Sequence, residues 1–412
     1  MAALGIFICT GGPSFYASFR IFDVGGSAVV WTNLYPFLGV AVAGVVLMAQ
    51  RLSRLTIREV PWPMYAIAAY ASWALLSATW SSTPAASPMA AMIDLGIAAF
   101  GCWIALACNI EEHVTSVMLA TVTAVVLSVP VVIWWPKYGR EPVIGPSAGG
   151  EWMGIFGNRN SLSAVCVLGI IAAAGFYALR PSWRRGLLSV ALSALHFVVL
   201  WGTHGDTSRL ALVLCMLAAG GIPLLWRLRS HRTSGYVVSA AGVAALSAAW
   251  IVFFDNLDRI AARIGMDPTL SRRTLIWRHV RAFIRVHPVR GYGYWGFWEN
   301  PALTQGTYDS VGTAYGSAHN SVLEVMLMLG VIGLILYLCV VLAAIVGISR
   351  WLWNAPSVAS WWWGVVLVYL VAQNLTESFV LWHSYNWMLF VAASVVPFDQ
   401  RSEATTTVVE SI

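Results

Sequence analysis

Gly291-Tyr-Gly-Tyr-Trp-Gly-Phe-Trp298, followed by Ala318-His319-Asn320, closes the long water-compatible stretch of this chain, residues 255–318. The same stretch carries eight arginines: Arg259, Arg263, Arg272, Arg273, Arg278, Arg281, Arg285 and Arg290. Nearly everything on either side of it is apolar. The whole chain is 59% apolar and 10% charged, with a mean hydropathy of +0.73. A soluble domain carries about 25% charge and 45–50% apolar residues, so this chain reads as a polytopic membrane protein. Lys137 is the sole lysine among 24 basic residues. The net charge of +6 is modest and falls mostly in loops, and no nucleic-acid signature accompanies it.

Crossing a hydrocarbon core of about 30 Å takes about 20 apolar residues in a helix. Runs of that kind occur at about 29–50, 62–80, 88–108, 114–135, 157–179, 186–203, 209–226, 235–254, 319–347, 359–380 and 385–397. They predict eleven spans, or twelve if Ala2–Phe19, interrupted by Gly11-Gly12-Pro13, also crosses. The N-terminus has no basic region or small-residue cleavage site of the signal-peptide kind. Short loops set orientation through their arginines. Arg51, Arg54 and Arg58 share one loop, Arg180, Arg184 and Arg185 a second, Arg227, Arg229 and Arg232 a third, and Arg350 stands in a fourth. Alternating the spans brings all four to one side, the cytoplasmic one, and puts residues 255–318 outside. The expected organisation is a transmembrane bundle over 1–254, a large external loop with amphipathic helices over 255–318, C-terminal membrane helices over 319–397 and a polar cytoplasmic tail over 398–412. Long loops translocate largely regardless of charge. An arginine-rich external loop is therefore permitted by topology, and anion binding would explain it.

Within the loop, Ser271 to Val286 predicts a helix with Leu275, Ile276, Val280, Phe283 and Ile284 on one face and Arg278, Arg281 and Arg285 on another. Such a helix can lie along a membrane surface. Gly291-x-Gly-x-x-Gly296 has the spelling of a dinucleotide fingerprint, but a helix rather than a strand precedes it. An aromatic loop at the membrane interface fits better, since Tyr and Trp favour that layer. Asp255-Asn-Leu-Asp258 has the spelling of an acidic metal pair and reads as the solvated start of the loop. The six cysteines all lie in apolar runs without zinc or disulfide spacing.

Four further charges stand where predicted spans meet water. Arg209 follows Asp206-Thr-Ser, and Arg159 sits in Gly157-Asn-Arg-Asn160. Each either snorkels or faces a functional cavity, and spacing alone does not decide. Glu377, in Asn374-Leu-Thr-Glu377, ends a span on the same side and can orient one of these arginines. His319 opens a long apolar helix. It is either a helix-start histidine bonded to the loop or a general base, because imidazole titrates near neutral pH.

Five stretches in one order resemble the O-antigen ligase/polymerase superfamily, and within it the ExoQ-like exopolysaccharide polymerases. They are Phe156-Gly-Asn-Arg-Asn160, Ser208-Arg209-Leu-Ala, Arg273-Thr-Leu-Ile-Trp277 leading to His287-Pro288, Gly291-Tyr-Gly-Tyr-Trp-Gly-Phe-Trp298, and Ala318-His319-Asn320-Ser-Val-Leu-Glu324 running on to Leu329-Gly330-Val-Ile-Gly333. The resemblance covers roughly residues 150–345. Trp295 departs from the small residue common in the family's loop.

The resemblance implies an all-α, GT-C-like membrane glycosyltransferase of about twelve helices in the bacterial inner membrane, with its active site facing the periplasm or exterior. It implies a polyprenyl-pyrophosphate-linked glycan donor, a glycan acceptor hydroxyl, and neither metal nor cofactor. Carried over by motif, Arg209 and Arg273 grip the pyrophosphate and His319 takes the acceptor proton, with Arg159 and Glu377 as further substrate-side candidates. Arginine suits a pyrophosphate leaving group because its fork binds bidentately and stays charged throughout. A polymerase is the leading expectation. A ligase that moves finished glycan to lipid A-core or protein is the alternative within the family. A transporter is the alternative outside it, disfavoured because no internal repeat is visible.

Overall fold

The computed structural model describes residues 1–11, 27–84, 86–141, 150–228, 273–305, 316–378 and 384–398. Among them the architecture is helical, and the strand-like pairing is a single bridge between Arg140 and Trp152. The main helices are α1 (Ala2–Cys9), α2 (Ser27–Leu52), α3 (Pro63–Leu76), α4 (Ser87–Ala107), α5 (Ile110–Trp134), α6 (Arg159–Leu179), α7 (Trp183–Thr203), α8 (Asp206–Leu228), α9 (Arg273–Val286), α10 (Ser321–Asn354), α11 (Val358–Thr376) and α12 (Tyr385–Val395).

Polar caps start many of these helices. Asn109 accepts from Glu112 N at 2.9 Å while Glu112 returns a bond to Asn109 N at 2.8 Å. The side chains of Asn158, Ser182, Asn320, Ser357 and Ser384 each accept a first-turn backbone N–H of α6, α7, α10, α11 and α12. Each cap satisfies a backbone N–H that the helix itself leaves orphaned.

The expected polytopic all-α membrane protein is borne out. Among the described residues, seven helices are long and apolar enough to cross a membrane: α4, α5, α6, α7, α8, α10 and α11. The predicted count does not carry over span for span. At 1.5 Å per residue, α3 is about 21 Å long and α12 about 17 Å, both short of a bilayer core. α11 stops at Thr376 rather than 380, and α10 runs on to Asn354. The predicted span 235–254, the acidic pair Asp255/Asp258, and Arg259, Arg263 and Arg272 lie outside the described residues, as does residue 12 onward of the first segment.

α12 is buried along its whole length and packs against α4 and α10. A helix apolar on nearly every face, with Asn386 and Ser394 its buried polar residues, belongs in the middle of a bundle. α7 and α8 instead expose Leu187, Val190, Val198, Leu210, Val213 and Leu217, the surface expected to meet lipid acyl chains.

The two ends of the bundle differ. At one end Arg51 donates to the Leu106 carbonyl at 2.6 Å, Arg180 and Arg185 pair with Glu111, and Trp226 bonds the Leu352 carbonyl. The starts of α6, α8 and α10 and the end of α11 converge at the other.

α10 is broken at Gly330, whose φ of 65° and ψ of −166° leave the helical region. Three carbonyls of the preceding turn find partners elsewhere. Leu327 accepts from Tyr292 N at 3.0 Å, Met328 from Gly293 N at 2.9 Å and Leu329 from Trp73 Nε1 at 3.0 Å. Beyond the break, Val331 N donates to the Pro288 carbonyl at 2.9 Å. The glycine-aromatic loop is thus threaded along a helix break, and with Trp73 it gives these four freed backbone groups partners. Close approach is the reason for glycine here: a Cβ at Gly330 would lie 2.1 Å from the Val289 carbonyl oxygen.

Two expectations for this region are corrected. Tyr292, Tyr294 and Phe297 are buried rather than displayed at a membrane interface. Tyr294 O–H reaches Asp94 on α4, and its backbone N–H donates to Ser77 Oγ at 2.8 Å. The apolar face of α9 is likewise spent inside the protein, where Ile276 and Val280 form a small core with Tyr292, Phe297, Ala318 and Leu327. Its arginine face, Arg278, Arg281 and Arg285, is exposed.

Candidate active site

The site is built on Glu377, the residue that ends α11 in an extended conformation. Its carboxylate is 5% exposed. One oxygen, Oε2, lies 2.7 Å from His319 Nδ1. The other, Oε1, accepts from Arg273 Nη2 and from Asn160 Nδ2, the latter at 2.8 Å. Residues from α6, α9, α10 and α11 therefore meet at one carboxyl group.

Burial pushes the Glu377 carboxyl up, but the Arg273 guanidinium, and then His319, outweigh it and hold it below its ordinary value of 4.5. The group is a carboxylate at neutral pH. It therefore accepts the Nδ1–H of His319, and in the neutral imidazole this tautomer carries its lone pair on Nε2. An imidazole oriented by a buried carboxylate is the arrangement of a general base.

His319 holds a left-handed backbone, φ 48°, which is uncommon for a residue with a Cβ. The turn around it is pinned on both sides. Ser317 Oγ accepts from His319 N at 3.4 Å, and Trp277 Nε1 donates to the Ala318 carbonyl at 2.8 Å. Asn320 N donates to Ser378 Oγ at 3.0 Å, and Asn320 Nδ2 to the Leu375 carbonyl at 2.9 Å. Fully buried Glu324 accepts from Ala318 N, Ser378 Oγ and Trp298 Nε1. This turn leaves His319 Nδ1 at bonding distance from α11.

The sequence-derived candidates do not all converge. His319, Arg273 and Glu377 come together. Arg273 also reaches Thr207 Oγ1 at 3.5 Å, which brings the cluster to the first turn of α8 and to Arg209 two residues on. Arg209 itself turns to Asp206 at 3.3 Å, to the Trp201 carbonyl at 2.8 Å and over the Trp201 ring at 4.6 Å. Arg159 pairs with Glu151 at 3.2 Å and Glu141 at 3.8 Å. The expectation that Glu377 orients Arg209 or Arg159 is thus corrected: it holds Arg273. Exposure divides them further. The side chains of Arg159, Arg209 and His319 are 30%, 29% and 25% exposed, against 10% for Arg273. The first three are open enough to meet a ligand directly, while Arg273 is largely enclosed.

Three residues with roles here escaped sequence reasoning: Asn160, Thr207 and Glu324. Glu324 had a usable signal, because a carboxylate inside an apolar run is costly unless it has work there. Asn160 and Thr207 had none beyond lying in the motifs. Beneath the cluster, Ser208 Oγ bonds Ser163 Oγ at 2.8 Å and accepts from Gln373 Nε2 at 3.1 Å. This polar layer ties the starts of α6 and α8 to α11. Among the described residues no group of three or more His, Cys, Asp or Glu side chains stands close enough to hold a metal ion.

Comparison with known proteins agrees with the resemblance read from the motifs. The model of the family described as O-Antigen ligase matches residues 191–338. The chain is also similar to the exopolysaccharide production protein ExoQ of Rhizobium meliloti (strain 1021), at 25% identity over 281 residues. That overlap covers 65% of this chain and 63% of the relative, so the chain spans a little under two thirds of the length of the curated protein it matches. Arg209, Arg273 and His319 fall inside the family match, whereas Arg159 and Glu377 fall outside it.

Proposed function

We propose that this chain, a membrane protein of the O-antigen ligase/polymerase superfamily similar to ExoQ, transfers glycan from a polyprenyl-pyrophosphate carrier to a sugar hydroxyl, and that it does so as a polymerase. The observation that carries the reading is the His319–Glu377–Arg273 cluster: an oriented imidazole and a fixed positive charge on one buried carboxylate. In the proposed reaction His319 Nε2 takes the acceptor proton as the hydroxyl oxygen bonds to the anomeric carbon. The bond from that carbon to the pyrophosphate oxygen breaks, and polyprenyl pyrophosphate leaves with the electron pair.

Charge grows on the departing pyrophosphate, and preorganised positive charge is most effective there. Arg209, partly exposed, contacts the pyrophosphate, and Arg159 is a further group on the donor side. Arg273 adds its field from the buried side while Glu377 holds it and the imidazole in register. Glu377 is thus a positioning residue. The reaction needs no metal ion and no cofactor.

The end of the bundle that carries Arg51, Arg180, Arg185 and Arg227 is taken as cytoplasmic. The cluster then faces the periplasm or exterior of a bacterial inner membrane, with residues 255–318 as the external loop between two membrane units. The second reading, a ligase that makes one transfer to lipid A-core or protein, is favoured by the description of the matched family. Purified protein given a lipid-linked repeat unit separates the readings. A ladder of lengthening products is expected. A single transfer indicates a ligase, and transport without a covalent product indicates a transporter. Loss of product on adding chelator would overturn the metal-free mechanism.

A further inference from the structure

A second site stands apart from the His319 cluster. A cleft of about 420 Å³ opens between the end of α3 and the glycine-aromatic loop, with Trp80, Ser82, His287, Arg290, Tyr292 and Asn300 among its lining. Clefts that take small ligands run from about 300 to 1,000 Å³.

We propose that this cleft is a glycan subsite for an acidic sugar, in which Arg290 binds the sugar's carboxylate. The proposal rests on the glycosyl-transfer reading above and names the substrate class. Three kinds of chemistry meet in the cleft. Trp80 offers aromatic surface suited to the C–H face of a sugar ring. Asn300 and Ser82 suit its hydroxyl edge. The Asn300 side-chain oxygen is engaged by Ala302 N at 3.0 Å, which leaves its NH₂ group to donate. Ser82 Oγ donates to the Tyr292 carbonyl at 3.1 Å and so presents lone pairs.

The third kind is positive charge. Arg290 is exposed and makes no ion pair among the described residues. Its backbone is tied to the cleft wall, where its carbonyl accepts from Trp80 Nε1 at 3.2 Å, and its guanidinium lies 5.8 Å from the Trp80 ring centroid. A guanidinium fork is the side chain best matched to a carboxylate. His287 stands beside it, with its ring 4.8 Å from that of Tyr292.

Position relates the cleft to the chemistry. Tyr292 lines the cleft and also belongs to the small core that holds Ala318, the residue before His319. The cleft and the turn that carries His319 are thus built on one packed cluster. In the proposed arrangement a glycan of several sugars occupies the cleft while its reacting end lies at His319.

The test uses the full chain in phosphatidylcholine nanodiscs. The probes are a tetrasaccharide with one glucuronic acid and the same tetrasaccharide with that carboxyl reduced to the alcohol. A charge-assisted hydrogen bond is worth about 1.5–3 kcal/mol, so the acidic probe should bind about tenfold tighter or more. Arg290→Gln should erase the preference, and Arg290→Lys should keep part of it. Asn300→Ala should weaken both probes alike. Equal binding of the two probes by the wild type, or a preference that survives Arg290→Gln, overturns the proposal. So does loss of acidic-probe binding when phosphatidylglycerol replaces phosphatidylcholine, which would assign the cleft to a lipid headgroup. If the acidic probe binds as expected but a lipid-linked donor yields no product, the enzymatic reading fails and the subsite stands.

Discussion

Glu377 Oε2 meets His319 Nδ1 at 2.7 Å, although the two residues are 58 positions apart and sit at the ends of different helices. The contact makes His319 one half of a unit. General-base help is typically worth about 10²–10⁴ in rate, so His319→Ala should lower turnover by that range. Glu377→Gln should lower it at least tenfold, and the double variant should be little worse than His319→Ala alone, because parts of one unit are not additive. The measurement is single-turnover transfer at saturating donor. Losses that multiply would mean that the carboxylate acts independently of the imidazole.

The arginines should separate by chemistry. Arg273→Lys keeps charge but cannot reproduce the fork that spans Glu377 and Thr207. It should lose most activity while inserting normally into the membrane. Arg209→Lys should chiefly weaken donor binding. Arg281→Lys, on the exposed face of α9, should behave like wild type. Donor titrations of all three decide the matter, and identical behaviour would favour a diffuse electrostatic surface over a specific clamp.

Acid should dismantle the cluster late. The folded protein holds Glu377 below its ordinary 4.5. Its contribution to stability is therefore present above the unfolded-state value and is lost as pH falls through the lower folded value. The gap in apparent Tm between wild type and Glu377→Gln should be full near neutral pH and close only below the usual carboxylate range. A gap that closes between about pH 7 and 6 would assign the effect to some group other than a carboxylate.

Gly330→Ala should destabilise the bundle by about 1–3 kcal/mol, the cost of a Cβ in a positive-φ extended region that is essentially glycine's own. The Cβ would also crowd the Val289 carbonyl and push the glycine-aromatic loop off the break in α10. Apparent Tm in detergent measures it. An unchanged Tm would show that the loop tolerates displacement.

Orientation is open to labelling. In a cysteine-free background, Ala302→Cys and Arg184→Cys place one exposed thiol at each end of the bundle. An impermeant reagent added to intact spheroplasts should modify position 302 and spare position 184. The reverse pattern inverts the proposed topology.

The amino-acid sequence by itself determined the solvent this chain folds in and most of its helices. Runs such as 88–108 and 186–203 are predominantly apolar and long enough to cross a membrane. That property is local, so it survives without knowledge of any neighbour. The motifs that resemble the O-antigen ligase/polymerase superfamily also singled out His319 and Arg273. Tertiary structure decided what those groups are attached to. Glu377 could serve any arginine near its level, and whether it takes Arg159, Arg209 or Arg273 depends on helix packing between segments more than 100 residues apart. The break at Gly330 was equally invisible. A glycine inside an apolar run reads as helix until another segment, here the loop from Pro288 to Gly293, arrives to take up the freed carbonyls. The aromatics of that loop read as membrane-interface residues by composition, and they became core because the broken helix gave them an interior to fill.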